Sequence, residues 1–407
     1  QDYIGGRIKS IHWNDNWIEE GAQFLHGDQS QLGQICLSHR LISEEESTEG
    51  EGIYIRNDGF QVEKHLIQEI DDLVKDTLED CEKYVDEMSL EDIPDNVGQL
   101  LTSKIQKNWV TKKDTNTKKL KEEIFDWNVR FLMIDNSCLT LDELSAKWWG
   151  KFRFVGGPEH LVFKDGYSSV VKKIAEKLKN DNVRLNCPVK VIEWTDNVSQ
   201  AINETENTPQ VILTLNDKKI KADCVLVTCS LGFLKENHET FFSPRLPENL
   251  TLAIDSLGFG LINKVYLDFG EPWWQPGVEG FQLIWHESNE IPENTKLAPW
   301  TRDLSGFDVL EDHEAVLLGW VGGRGAESVE KLTEEEVAND CIELLRFFLK
   351  RDNLPAPKRC RRSQWGQNEW VRGSYSHIST RCDRNGITPK DLAEPVWREV
   401  RRDERLK

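Results

Sequence analysis

The chain lacks several features that would have settled its class at once. No apolar run in its 407 residues approaches the roughly 20 residues of a membrane-spanning helix, so no segment reads as a span. There is no Cys-x-x-Cys pair. The nine cysteines, at positions 36, 81, 138, 187, 224, 229, 341, 360 and 382, are odd in number and scattered. That pattern excludes a zinc ribbon and disfavours a disulfide framework, and it suits reduced, mostly buried thiols in an intracellular protein. Basic residues are short: 51 Lys and Arg stand against 71 Asp and Glu, a net charge of −20. Such a surface repels the phosphates of nucleic acid. It would draw in a small polycation, or it serves solubility alone. No internal repeat is visible, and nowhere does a strand lead into Gly-x-Gly-x-x-Gly, the loop that cradles a dinucleotide pyrophosphate.

What is present suggests two domains, because a chain of this length exceeds one ordinary compact unit. Fifteen Trp and sixteen Phe can fill a core or line a pocket. Residues 1 to 50 alternate short strand-like pieces with glycine turns. From Val62 to Met88 apolar residues recur at threes and fours, which predicts a helix, and further helices are expected near 95–110 and 118–134. A helix is predicted over Ser168–Leu178, with its serine end suited to capping. Strands are predicted at Val183–Leu185, Pro188–Trp194, Val211–Leu215 and Ala222–Cys229, with a hairpin turn at 216–219. Within the last, Cys224–Thr228 is almost continuously apolar, as in a strand buried on both faces. Later strands are expected at Ile262–Phe269, Phe281–Trp285 and Ala315–Val321. A helix follows at Glu334–Lys350, its start marked by the capping-box pair Thr333 and Glu336. The polar stretch 197–208 reads as a surface loop and the charged tail 397–407 as a frayed end.

These alternations predict a mixed α/β (α+β) protein of two discontinuous domains. Residues 1–50, 160–243 and 366–407 would form one, a partial Rossmann-like unit. Residues 51–159 and 244–365 would form the other, a mixed sheet with helices.

The most specific segments lie at the front. Gly5-Gly6-Arg7 alone is an ordinary turn, although two glycines permit close backbone approach and an arginine can clamp a phosphate. Gly21-Ala22-Gln23-Phe24-Leu25-His26-Gly27 follows. Further segments occur in order: Lys164-Asp165-Gly166-Tyr167, Pro188–Trp194, Ala222–Lys235, Gly258–Trp274, then Arg362–Gly366 with Arg372–Ser376. Together they resemble the flavin-containing amine oxidases, in particular the animal polyamine oxidase group that acts on spermine and N1-acetylated polyamines. The resemblance covers nearly the whole chain.

It implies FAD as cofactor and a polyamine and oxygen as reactants, with neither nucleic acid nor membrane as partner. It also implies a monomer in the cytoplasm, with the peroxisome as the alternative. By the same resemblance Gly5, Gly6, Arg7, Gly21, Ala22, Gln23, Val189 and Trp365 contact the cofactor, Arg7 and Gly6 at the pyrophosphate and Val189 at the adenine. Lys264 holds a water against the flavin, and His26 orients substrate or handles a proton. Tyr375 lines the amine channel. Read locally, Lys264 is more readily an edge-strand or snorkelling lysine, and the resemblance reverses that.

Two departures from the family pattern matter. The family's tunnel acid is missing from Phe152-Arg153-Phe154-Val155-Gly156-Gly157, which makes Glu159 the nearby substitute. The Gly-x-Gly-x-x-Gly unit and the closing block after Leu392–Val396 are absent too, so the resemblance implies an incomplete FAD-binding domain. An inactive relative serving as a scaffold, or a histone-demethylase-like enzyme, are the competing readings.

Overall fold

The computed structural model describes every residue except 87–91, 110–114, 180–181, 195–210, 217, 287–290, 294 and 397–407. The expected loop 197–208 and the tail therefore lie outside the described residues.

The largest sheet has six strands. In spatial order they are β15 (Arg359–Arg362), β11 (Asn263–Asp268), β14 (Val316–Val321), β13 (Gly306–Val309), β12 (Gly280–Ile284) and β4 (Ile53–Arg56). All neighbours are antiparallel except β12 and β4. Strand β11 is buried along its whole length. Its alternation explains how: Val265 and Leu267 point into a core shared with Val337, Leu344, Leu345 and Phe348 of the helix Glu334–Leu349. Lys264, Tyr266 and Asp268 therefore point to the opposite face. That face is covered by a hairpin of β1 (Ser10–Trp13) and β2 (Asn16–Glu19), through Trp13 and Ile18 packed on Tyr266 and Leu318. The helix carries the capping box predicted at Thr333 and Glu336.

A second core joins the helices Lys64–Glu79, Val97–Trp109 and Thr115–Asp135 through Ile70, Leu101, Ile105, Ile124 and Trp127. The remaining strands form smaller sheets. β3 (Ile42–Glu46) pairs with β5 (Leu161–Phe163), and β10 (Gly258–Phe259) with β16 (Ser376–His377). A four-stranded sheet runs β8 (Lys219–Ala222), β7 (Val211–Thr214), β6 (Val191–Trp194) and β9 (Phe242–Ser243). Its β7–β8 hairpin turns where predicted, with Asp217 outside the described residues. The fold is thus mixed α/β. No helix among the described residues is long and apolar enough to cross a membrane.

Three local expectations fail. Val183–Leu185 forms no strand, and Val183 and Leu185 are exposed. Cys224–Thr228 forms none either, and Leu226 is 88% exposed. An apolar run becomes a doubly buried strand only where neighbours complete its hydrogen-bond ladder, and among the described residues no strand pairs with this one. Ser168 does not cap the helix Ser168–Ala175 but is its first residue. The free amides there are taken from outside: Tyr167 N donates to the Glu19 carboxylate at 2.7 Å and Ser168 N to Ser10 Oγ at 2.8 Å.

Candidate active site

A turn at residues 5–8 lies against the stretch that follows β2 at the front of the chain. Ala22 N donates to the Arg7 carbonyl at 3.0 Å and Ile8 N to that of Gly5 at 3.0 Å. Gly5 and Gly6 have φ of +119° and +62°. A side chain at Gly21 has no room, because a Cβ there would stand 1.8 Å from the Arg7 carbonyl oxygen. Gly21→Ala is therefore expected to cost on the order of 3 kcal/mol or more, read by denaturant unfolding. At Gly6 a Cβ meets nothing within 4 Å, so Gly6→Ala carries only the strain of its positive φ, about 1 kcal/mol.

These segments form one wall of a cavity of about 1020 Å³. Of the residues singled out from sequence, Gly5, Gly6, Arg7, Gly21, Ala22, Gln23, His26, Glu159, Lys264, Trp365 and Tyr375 all line it. Val189 does not, and packs instead beside Ile192, Phe241 and Phe242. The sequence reading missed Glu49, Asp135, His160 and Trp320, which line the same space.

Lys264 is 3% exposed. Its Nζ donates to the carbonyls of Glu19 at 3.0 Å and Gly21 at 2.8 Å, and to Gln23 Oε1 at 2.7 Å. The Trp320 ring lies 4.4 Å from Nζ. Burial pushes the lysine down to about 7, opposed by the negative charges of Glu19, Glu49 and Glu311. Ser363 brackets the backbone of Lys264, accepting from its N–H at 2.9 Å and donating its own N–H to the Lys264 carbonyl at 3.0 Å. Trp365 is fixed by its Nε1–H, which donates to the Glu20 carbonyl at 2.7 Å. Tyr375 Oη donates to the Ile134 carbonyl at 2.5 Å.

His26 Nδ1 lies 3.0 Å from the Glu159 carbonyl, an acceptor that requires the proton on Nδ1. Glu159 also raises the proton affinity of His160 through its charge. His160 stands edge-on to His26, with centroids 5.5 Å apart, and against Phe24 at 4.9 Å. Burial holds His160 below its usual range, and the charge of His26 lowers it further. On the carboxylate side, burial together with Asp308 and Asp135 pushes Glu49 up to about 8. Asp135 is also raised by burial. Among the described residues neither forms an ion pair.

Arg7 suits an anionic group. Its guanidinium donates to the Ser374 carbonyl and lies 5.8 Å from the Phe259 ring, and among the described residues no carboxylate pairs with it. Burial alone lowers its affinity for a proton. The N-terminus of the helix Leu231–Phe241, capped by Ser230, reaches the same cavity, adding amide dipoles of the sign that attracts phosphate.

The profile of the flavin containing amine oxidoreductases matches residues 1–391. The chain belongs to this family. As a flavin-containing amine oxidoreductase it is an enzyme with FAD as its cofactor. It is 28% identical over 415 residues to the peroxisomal N(1)-acetyl-spermine/spermidine oxidase of Bos taurus, spanning 96% of this chain and 79% of that one. It is 25% identical to the lysine-specific histone demethylase 2 of Homo sapiens, over 93% of this chain and 44% of the relative. Among solved structures, wild-type putrescine oxidase bound to putrescine superposes with a TM-score of 0.65 at 18% identity, over 95% and 83% of the two chains. That likeness concerns the fold. Arg7, with no carboxylate partner among the described residues, the glycine wall and the size of the cavity fit FAD.

Proposed function

We propose that this amine oxidoreductase oxidises polyamines, either spermine or N1-acetylated spermine and spermidine, to an aldehyde, an amine and hydrogen peroxide. The observation that carries this reading is the carboxyl pair Glu49 and Asp135 at the cavity wall, both raised in proton affinity and neither in an ion pair among the described residues. A carboxyl that burial keeps from ionising is stabilised as carboxylate when an ammonium arrives. A substrate with several cationic nitrogens separated by methylenes meets that need, and the rings of Phe131, Trp320 and Tyr375 give its carbon chain apolar contact. The −20 charge of the chain adds long-range attraction for a polycation.

When bound, FAD accepts hydride from the carbon next to the amine nitrogen and passes the electrons to oxygen. The protein's part is to hold Arg7, Gly5, Gly6, Gly21, Ala22 and Trp365 around that cofactor and to seat Lys264 beside it. Reaction requires a neutral amine nitrogen. His160 stands edge-on to His26 at the cavity wall, and this pair of imidazoles is placed to accept the proton from the reacting ammonium. Residues 1–50, 160–243 and 366–407 form the FAD-binding domain in this reading, and 51–159 with 244–365 the substrate domain.

The test is spectroscopic. The purified chain, supplied with FAD, should show bound-flavin absorbance that N1-acetylspermine or spermine bleaches without oxygen. A methylated histone peptide should leave the spectrum unchanged. A folded protein that takes up no flavin, or one bleached only by the peptide, overturns the proposal.

A further inference from the structure

The chain bends at Glu20 and Gly21 just after β2, and the carbonyls of Glu19 and Gly21 and the side-chain oxygen of Gln23 come from this short stretch. All three oxygens converge on one nitrogen. A lysine ammonium carries three N–H donors, so the three acceptors at 3.0, 2.8 and 2.7 Å match it one for one. The Trp320 ring closes the remaining side at 4.4 Å, in the position of a cation–π contact. A neutral amine has two donors and a lone pair, which would face an oxygen in this cage. The two backbone carbonyls can only accept. The Gln23 amide alone can turn its NH2 group to the lone pair and fit the neutral form.

We propose that Gln23, assisted by Trp320, is a positioning residue that sets the charge of Lys264, its amide presenting oxygen to the ammonium and nitrogen to the neutral amine. The proposal rests on the reading of Lys264 as the lysine beside the cofactor, yet it concerns the lysine in the protein alone. Burial favours the neutral amine and the oxygen cage the ammonium, and the two oppose each other near neutral pH. The other ionisable groups acting on Nζ are Glu19 from β2, Glu49 from the turn before β4 and Glu311 after β13. The carboxylates all favour the cation, and Gln23 is the neutral group whose exchange changes this balance without adding bulk. Gln23 also lines the cavity, and its side-chain oxygen accepts from Lys264.

The experiment is competitive acetylation of the whole protein with trace acetic anhydride across pH. The Lys264 peptide is quantified by mass spectrometry in the parent chain and in Gln23→Leu, Gln23→Glu and Trp320→Leu. The parent midpoint is expected near 7. Loss of one charge-assisted acceptor in Gln23→Leu should lower it by about one pH unit, and a carboxylate in Gln23→Glu should raise it by about one unit or more. Trp320→Leu should lower it by a smaller step of about half a unit. A packing role for Gln23 would change the labelling rate but would not move the midpoint in opposite directions for Leu and Glu. Unmoved midpoints in variants with the parent's circular dichroism overturn the proposal. Gln23→Glu, nearly the same size as the parent, supplies the measurement if Gln23→Leu does not fold. Because no polyamine is used, failure of the oxidase reading leaves this result standing on its own.

Discussion

Replacing Lys264 with Met should slow polyamine oxidation by about 10²-fold or more, the usual worth of a positioned proton-handling group. The substitution preserves much of the side chain's length while removing every N–H. It leaves the carbonyls of Glu19 and Gly21 and the amide of Gln23 without their common donor. Stopped-flow absorbance of the FAD-loaded protein separates the two half-reactions, bleaching by substrate without oxygen and recovery on mixing with oxygen. A variant that binds FAD and turns over at the parent rate would remove Lys264 from the chemistry and reduce it to a buried structural cation.

The second large effect belongs to Glu49 and Asp135. The double variant Glu49→Gln, Asp135→Asn should raise KM for a polyamine by about 10²-fold or more, since each charge-assisted contact contributes about 1.5–3 kcal/mol. Its kcat should change much less, because the contacts are to parts of the substrate remote from the reacting carbon. An unchanged KM would place the substrate's cationic tail elsewhere. Glu49→Gln alone has a signature without substrate. The native carboxyl is raised from 4.5 to about 8, so the folded chain keeps a proton that the unfolded chain has lost between those values. Stability due to this group is thus highest below about 4.5 and falls as pH rises towards about 8, by an amount on the order of a few kcal/mol. Urea unfolding of Glu49→Gln should lack that fall.

How far the sequence reaches differs from residue to residue. Lys264 was legible because a family pattern surrounds it, although its own neighbours, Val265 and Leu267, describe only a strand. Its partners were not legible. Two are backbone carbonyls, which every residue carries, so no residue type at positions 19 or 21 announces them. Glu49 lies in an acidic stretch from Glu44 to Glu51 that reads as solvated surface, and Asp135 as the last residue of a long helix. Only the packing of that helix's end beside the β4 region brings the two into one cavity. The periodic helices and three strands of the six-stranded sheet, β11, β12 and β14, were readable from their spacing, whereas β4, β13 and β15 were not. Cys224–Thr228 shows the converse, an apolar pattern whose fate depends on neighbours that no local pattern names.

Glu19 ties together three distant parts of the chain. Its carboxylate accepts from Tyr167, 148 residues on, and its carbonyl accepts from Lys264 and Tyr266, 245 and 247 residues on. Closing loops of such length is slow, because their entropy is lost before any contact rewards it. The lysine cage is therefore expected to form after the local helices and hairpins as the chain folds. Flavin uptake and the Lys264 acetylation midpoint would then report completed folding more stringently than helix content does.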